Sequence, residues 1–137
     1  MRLTLGFEGA VMKNFALSWG LIILSALFDS YAAFIVKMKF NELGPIDFSS
    51  AQNFFRYLLE FLKSPVLISA VITFTVSPFL WFLALNRIEL SVGYPGIVGF
   101  HLVFIMMFGI IFLHEALTFQ KLIGVLLVAA SFFFLQE

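Results

Sequence analysis

Residues 21–36 read LIILSALFDSYAAFIV, an almost unbroken apolar run with one carboxylate, Asp29, near its middle. An acid at the centre of a bilayer-spanning helix costs roughly 2.5–3.5 kcal/mol on insertion scales. Its neighbours at three and four residues along a helix are Ser25, Ala26, Ala32 and Ala33, all small. A small-residue stripe is the packing face of a membrane helix, so Asp29 is expected to point into a bundle and away from lipid. Apolar surroundings penalise its charged form by desolvation, and a carboxyl that exchanges a proton for a cation needs that poise. The competing reading is a permanently protonated or hydrogen-bonded structural acid.

Further candidates lie in SVGYPGIVGFH, residues 91–101. Gly93, Gly96 and Gly99 recur at three-residue spacing, and Pro95 deletes a backbone donor beside them. Such a segment bends and admits another backbone, either as the kinked helix from which transporters build sites or as plain glycine packing. Tyr94 brings a hydroxyl and a π face suited to a cation or a polar head group, or else belongs to an interfacial aromatic belt. His101 lies two turns deeper, as a proton relay or as a satisfied structural histidine. Ser77-Pro78 predicts a second kink, with Trp81 following it, while Trp19 and Tyr31 fall toward the two ends of the first run as belt residues. Asp29, Tyr94, His101 and Trp81 are therefore the candidate substrate- and proton-binding residues. Pro78, Gly93, Pro95, Gly96 and Gly99 are the candidate hinges.

The elements that must carry these residues follow from composition. Of 137 residues, 62% are hydrophobic and 12% charged, with a mean hydropathy of +1.07. A soluble domain carries about 25% charge, so most of this chain must be solvated by lipid. The fold class expected is all-α integral membrane, with four transmembrane helices at about 15–36, 65–85, 92–113 and 116–135. The uncharged part of the last span, 122–135, is short, so Lys121 is expected to snorkel. Tight connections at 86–91 and 114–118 make neighbours antiparallel. The long connection, 37–64, holds a turn in NELGPIDFSS and then SAQNFFRYLLEFLK, with Gln52, Arg56, Glu60 and Lys63 on one stripe. That pattern suits an amphipathic interfacial helix at about 50–63, or merely a lead into the second span. Ser64-Pro65 reads as an N-cap followed by proline at the first helical position. Met12-Lys13-Asn14 reads as a natural start, which makes residues 1–11 either a foreign remnant or a short tail; residues 1–14 in all are expected as an N-terminal tail before a single domain, 15–137, without a cleavable signal peptide.

Lys and Arg number three on the side of the N-terminus and second connection, against five on the other. This leans toward a cytoplasmic long connection, and insertion in both orientations stays open. Formal charge is zero and no basic run exists, which argues against nucleic acid. There is no cysteine, no cluster of histidines and carboxylates and no phosphate-binding glycine loop, so no enzyme, metal or cofactor is expected. His114-Glu115 reads as a cap for the fourth helix.

LALNRIELSVGYP followed by FLHEALTFQKLIGVLLVAA resembles the carboxyl-terminal half of a unit from the drug/metabolite transporter superfamily. Glu115, Leu117, Thr118 and Gly124 fit the pattern that opens its fourth span. ALFDSYAAFIVK resembles the small multidrug resistance branch, where a membrane-embedded Glu precedes a Lys by eight residues, as Asp29 precedes Lys37. The acid is Asp and not Glu, and Ile97 stands where that branch carries a Trp. Tyr94-Pro95 and His114-Glu115 resemble the EamA-type branch and the subunits that flip aminoarabinose-linked undecaprenyl phosphate. The resemblance implies transport of a small organic molecule, cationic or amphiphilic, by alternating access with proton coupling through Asp29, in a bacterial inner membrane. Four helices leave little room for a lined pathway, so the chain is expected to work as a homodimer, parallel or antiparallel, or paired with a homologous subunit. The alternatives are a subunit of a lipid-linked sugar flippase and a non-transporting membrane scaffold.

Overall fold

A computed structural model gives five helices: α1 (Arg2–Leu43), α2 (Ala51–Leu62), α3 (Pro65–Leu85), α4 (Leu90–Phe112) and α5 (Phe119–Phe134). It describes residues 2–45 and 49–134, with the backbone alone at 2–13, 132 and 133. Ile46, Asp47 and Phe48 of the expected turn, and Leu135 of the expected fourth span, lie outside the described residues. Three helices are long and apolar enough to cross a membrane: α1 over Asn14–Leu43, α3 and α4. A shorter apolar helix, Phe119–Ser131, follows them. The chain is an all-α integral membrane protein.

α3 occupies its expected window to the residue, with Ser64 as N-cap and Pro65 at the first helical position. α1 overruns its window at both ends. It begins at Arg2, within the stretch read as a tail, and continues past Lys37, Lys39 and Glu42. Helices end where their backbone bonds end, and nothing before Gly44 interrupts them. That glycine takes a φ of +79°, and its N–H donates to the Phe40 carbonyl at 3.0 Å, closing the helix. The 42 residues of α1 measure about 63 Å, roughly twice a hydrocarbon core.

α5 starts later than expected. Thr118 Oγ1 accepts the Lys121 N–H at 3.3 Å, which makes Thr118 the cap. His114-Glu115 does not cap the helix: His114 has a φ of 53° in the connection, and Glu115 pairs with Lys121 at 3.5 Å. Lys121 Nζ also reaches back to the Ala116 carbonyl at 3.1 Å.

α1 is the central element. α3 and α4 both pack along it yet barely touch each other, and α5 meets only α4 among the described elements. Small residues make the close approach between α1 and α3: Ser25, Ala26 and Ala32 are buried on one, Ala70, Ser77 and Ala84 on the other. Two hydroxyl contacts reinforce that seam. Ser25 and Ser77 bond reciprocally, and Tyr31 Oη lies 2.9 Å from Ser69 Oγ. Tyr31 therefore ties two helices together where a belt residue was expected. On the other flank Ser30 Oγ donates to the His101 carbonyl at 3.4 Å. The divergence of α3 from α4 leaves a gap with α1 as its floor.

Candidate functional site

Asp29 sits in that gap, half-buried. A cavity of about 270 Å³ lies to one side, lined by Ser25, Asp29, Ser77, Pro78, Trp81, Tyr94, Ile97, Val98 and His101. All four candidate binding residues thus share one wall, although they come from three helices. A second cavity, of about 410 Å³, is lined by Asp29, Ala32, Ala33, Val36, Leu67, Ala70, Val71, Phe74 and His101. Trp81 and Tyr94 stand near the α3–α4 connection, whereas Val36 and Leu67 stand near the opposite end of the bundle. Asp29 and His101 are the two residues common to both linings. They mark the partition between a polar, aromatic cavity and an apolar one that extend in opposite directions.

Neither the Asp29 carboxylate nor the His101 ring has a hydrogen-bond or ion-pair partner among the described residues. The two side chains do not pair with each other either. A carboxylate on a membrane span without a protein counter-charge suits a cationic group of a ligand.

Trp81 and Tyr94 meet edge to face at 6.4 Å in the first cavity. The glycines explain how the indole fits. A Cβ on Gly93 would stand 2.8 Å from Ile88 Cγ2 and 3.3 Å from Trp81 Cη2. The groups that approach Gly93 are therefore two side chains, Ile88 and the Trp81 ring, not the backbone that the sequence suggests. Gly96 and Gly99 turn elsewhere, lining a cavity of about 160 Å³ between α4 and α5. A Cβ on Gly99 would meet nothing within 4 Å. Pro78 and Pro95 both lie inside continuous helices. Pro78 also lines the Asp29 cavity, and it has no N–H to offer the carbonyl four residues back.

The serine pair is not among the site residues singled out from the sequence. The Ser25 and Ser77 hydroxyls are 2.9 Å apart, and each lies 3.0 Å from the other's carbonyl oxygen. The available signal was a small polar residue in mid-span on each packing face. Ile97 and Val98 supply the apolar part of the wall. No group of three or more His, Cys, Asp or Glu is placed to hold a metal among the described residues.

Residues 50–128 match the family model described as Small Multidrug Resistance protein. The match takes in α2, α3, α4 and the first part of α5, and leaves Asp29 outside it. No curated protein and no solved structure matches the chain.

Proposed function

The chain belongs to the small multidrug resistance family, whose members are membrane transporters and not enzymes, and on that premise we propose that it moves a small cationic or amphiphilic molecule by alternating access, with protons and substrate competing for Asp29. The observation that carries this reading is the unpartnered carboxylate shared, with His101, by two cavities that extend toward opposite ends of the bundle. Alternating access needs one group that can be reached from each side in turn. An acid that is neutral when protonated and attractive to a cation when ionised couples the two movements through one site. Trp81 and Tyr94 offer π faces to a cation, and Ile97 and Val98 an apolar wall to its body.

Two copies make the working unit in this reading, because the gap between α3 and α4 leaves the site open sideways. Antiparallel pairing would reproduce the inverted repeats of larger transporters. The membrane proposed is a bacterial inner membrane.

The test is a thermal-shift screen of the purified protein against organic cations, amino acids, sugars and lipid head groups at two pH values, joined to proton-driven uptake in proteoliposomes. A cation should stabilise the protein at the higher pH only, and Asp29→Asn should abolish both this effect and coupled uptake while remaining folded. Undiminished coupling in Asp29→Asn would remove the acid from the mechanism. Binding of a polyprenyl phosphate with indifference to a pH gradient would favour the lipid-linked sugar flippase instead.

A further inference from the structure

α2 carries three faces and not two. Gln52, Arg56, Glu60 and Lys63 form the polar one, with Arg56 and Glu60 paired at 3.7 Å. Tyr57 and Phe61 form the one turned to the protein. Tyr57 Oη donates to the Gly44 carbonyl at 3.0 Å, and Phe61 stacks on Phe40 at 5.4 Å. The third face, Phe55, Leu58, Leu59 and Leu62, is the exposed apolar one: these residues are 61, 37, 58 and 53% exposed, and α2 has no buried residue. At 100° per residue the three faces follow one another around the helix, the bare apolar one lying between the polar and protein-facing flanks.

The position of α2 is fixed by its neighbours. Lys63 and Ser64 alone separate it from Pro65, where α3 begins its span, and its own partners Phe40 and Gly44 lie at the end of α1. Val66 and Ile68, exposed at the start of α3, continue the bare face of α2 into the surface that α3 turns to lipid. We infer that α2 is seated in the bilayer interface, with Phe55, Leu58, Leu59 and Leu62 among the acyl chains and the polar stripe in water, so that lipid itself is the partner of this face. The apolar flank does the seating. The Arg56–Glu60 pair leaves Lys63 as the one net charge of the stripe, too little to make anionic lipid a requirement.

This seating has a consequence for the cavity beside Asp29. Phe61 packs against the cluster of Ala32, Ile35, Leu67 and Ala70, and three of those four line the 410 Å³ cavity. α2 is then the sill of that cavity at the membrane surface. The lipid contact stands on its own, whereas the sill role rests on the transport reading.

The full chain has no cysteine, so single replacements can be spin-labelled directly. Phe55→Cys, Leu59→Cys, Gln52→Cys and Arg56→Cys, each labelled in phosphatidylcholine vesicles, should divide by face. Labels at 55 and 59 should be open to oxygen and closed to a water-soluble nickel chelate, those at 52 and 56 the reverse, with no dependence on added anionic lipid. Nickel access at 55 and 59 would overturn the seating, and so would dipolar broadening there, which would mean a second copy covers the face. Phe55→Ser with Leu59→Ser should slow transport several-fold while ligand affinity stays within about twofold. Unchanged transport would overturn the sill. A wild-type protein that transports nothing would leave the depth result intact and would count against the transport reading alone.

Discussion

Ser25 and Ser77 meet midway along the seam between α1 and α3, and both are fully buried. Replacing Ser77 by Ala removes one donated bond, to the Ser25 carbonyl, together with the 2.9 Å contact between the two hydroxyls. Ser25 keeps its own bond to the Ser77 carbonyl at 3.0 Å. Hydrogen bonds between helices in membranes average about 0.6 kcal/mol and reach about 1.7 kcal/mol, which sets the loss expected for either single variant. Each hydroxyl has one proton and directs it to the other's carbonyl, so the losses of the two single variants should add up to that of the double variant within about 0.3 kcal/mol.

Unfolding by sodium dodecyl sulfate in mixed micelles, followed by far-ultraviolet circular dichroism, measures all three variants on one scale. A coupling of about 0.5 kcal/mol or more would show that one hydroxyl donates to the other instead, and would refute the reciprocal pair. A single variant as stable as the wild type would refute the tie itself. Both serines line the Asp29 cavity, so cation affinity in the same variants reports whether the seam also holds the site in shape.

Gly93→Ala sets a methyl group against Ile88 and Trp81; it should cost about 1–3 kcal/mol and shift indole emission in a Trp19→Phe background. Unchanged emission and stability would mean that the ring does not rest there. Thr118→Ala should cost α5 its cap, about 1 kcal/mol, and speed amide exchange over residues 119–121 roughly fivefold. Exchange at the wild-type rate would assign the cap elsewhere. Asp29→Leu should stabilise the unliganded protein, by at most about 2.5–3.5 kcal/mol, while abolishing coupled transport. A variant less stable than the wild type would make the carboxylate a structural tie.

The limits of α3 could be read from sequence because hydropathy and helix signals coincide there: Pro65–Leu85 is uncharged and Ser64-Pro65 opens it. They part company at α1, where charged residues end the apolar run but do not break the backbone. At α5 the apolar window included Thr118, whose hydroxyl serves better as a cap. Chemistry alone singled out Asp29, Trp81, Tyr94 and His101, but their meeting in one cavity depends on how three helices cross, which no spacing along the chain records. The glycine stripe shows the same limit. Each three-residue step falls about 60° short of a full turn. Gly93 therefore faces Trp81 of α3, while Gly96 and Gly99 have rotated toward α5.

The family match covers residues 50–128, and Asp29 stands outside it on the helix that α3 and α4 both pack against. The candidate site is a composite, with Trp81, Tyr94 and His101 from the matched helices and the acid from α1. A carboxylate on so apolar a helix is tolerable only if the rotation of that helix is fixed. The Ser25–Ser77 pair fixes it on one flank and the Ser30–His101 bond on the other. At 100° per residue, Asp29 falls between those two ties and so faces the gap between α3 and α4. That gap weakens a lone copy, since two spans share little surface across it. In the proposed mechanism the same divergence gives the carboxylate its two approaches and leaves the side on which a second copy completes the site.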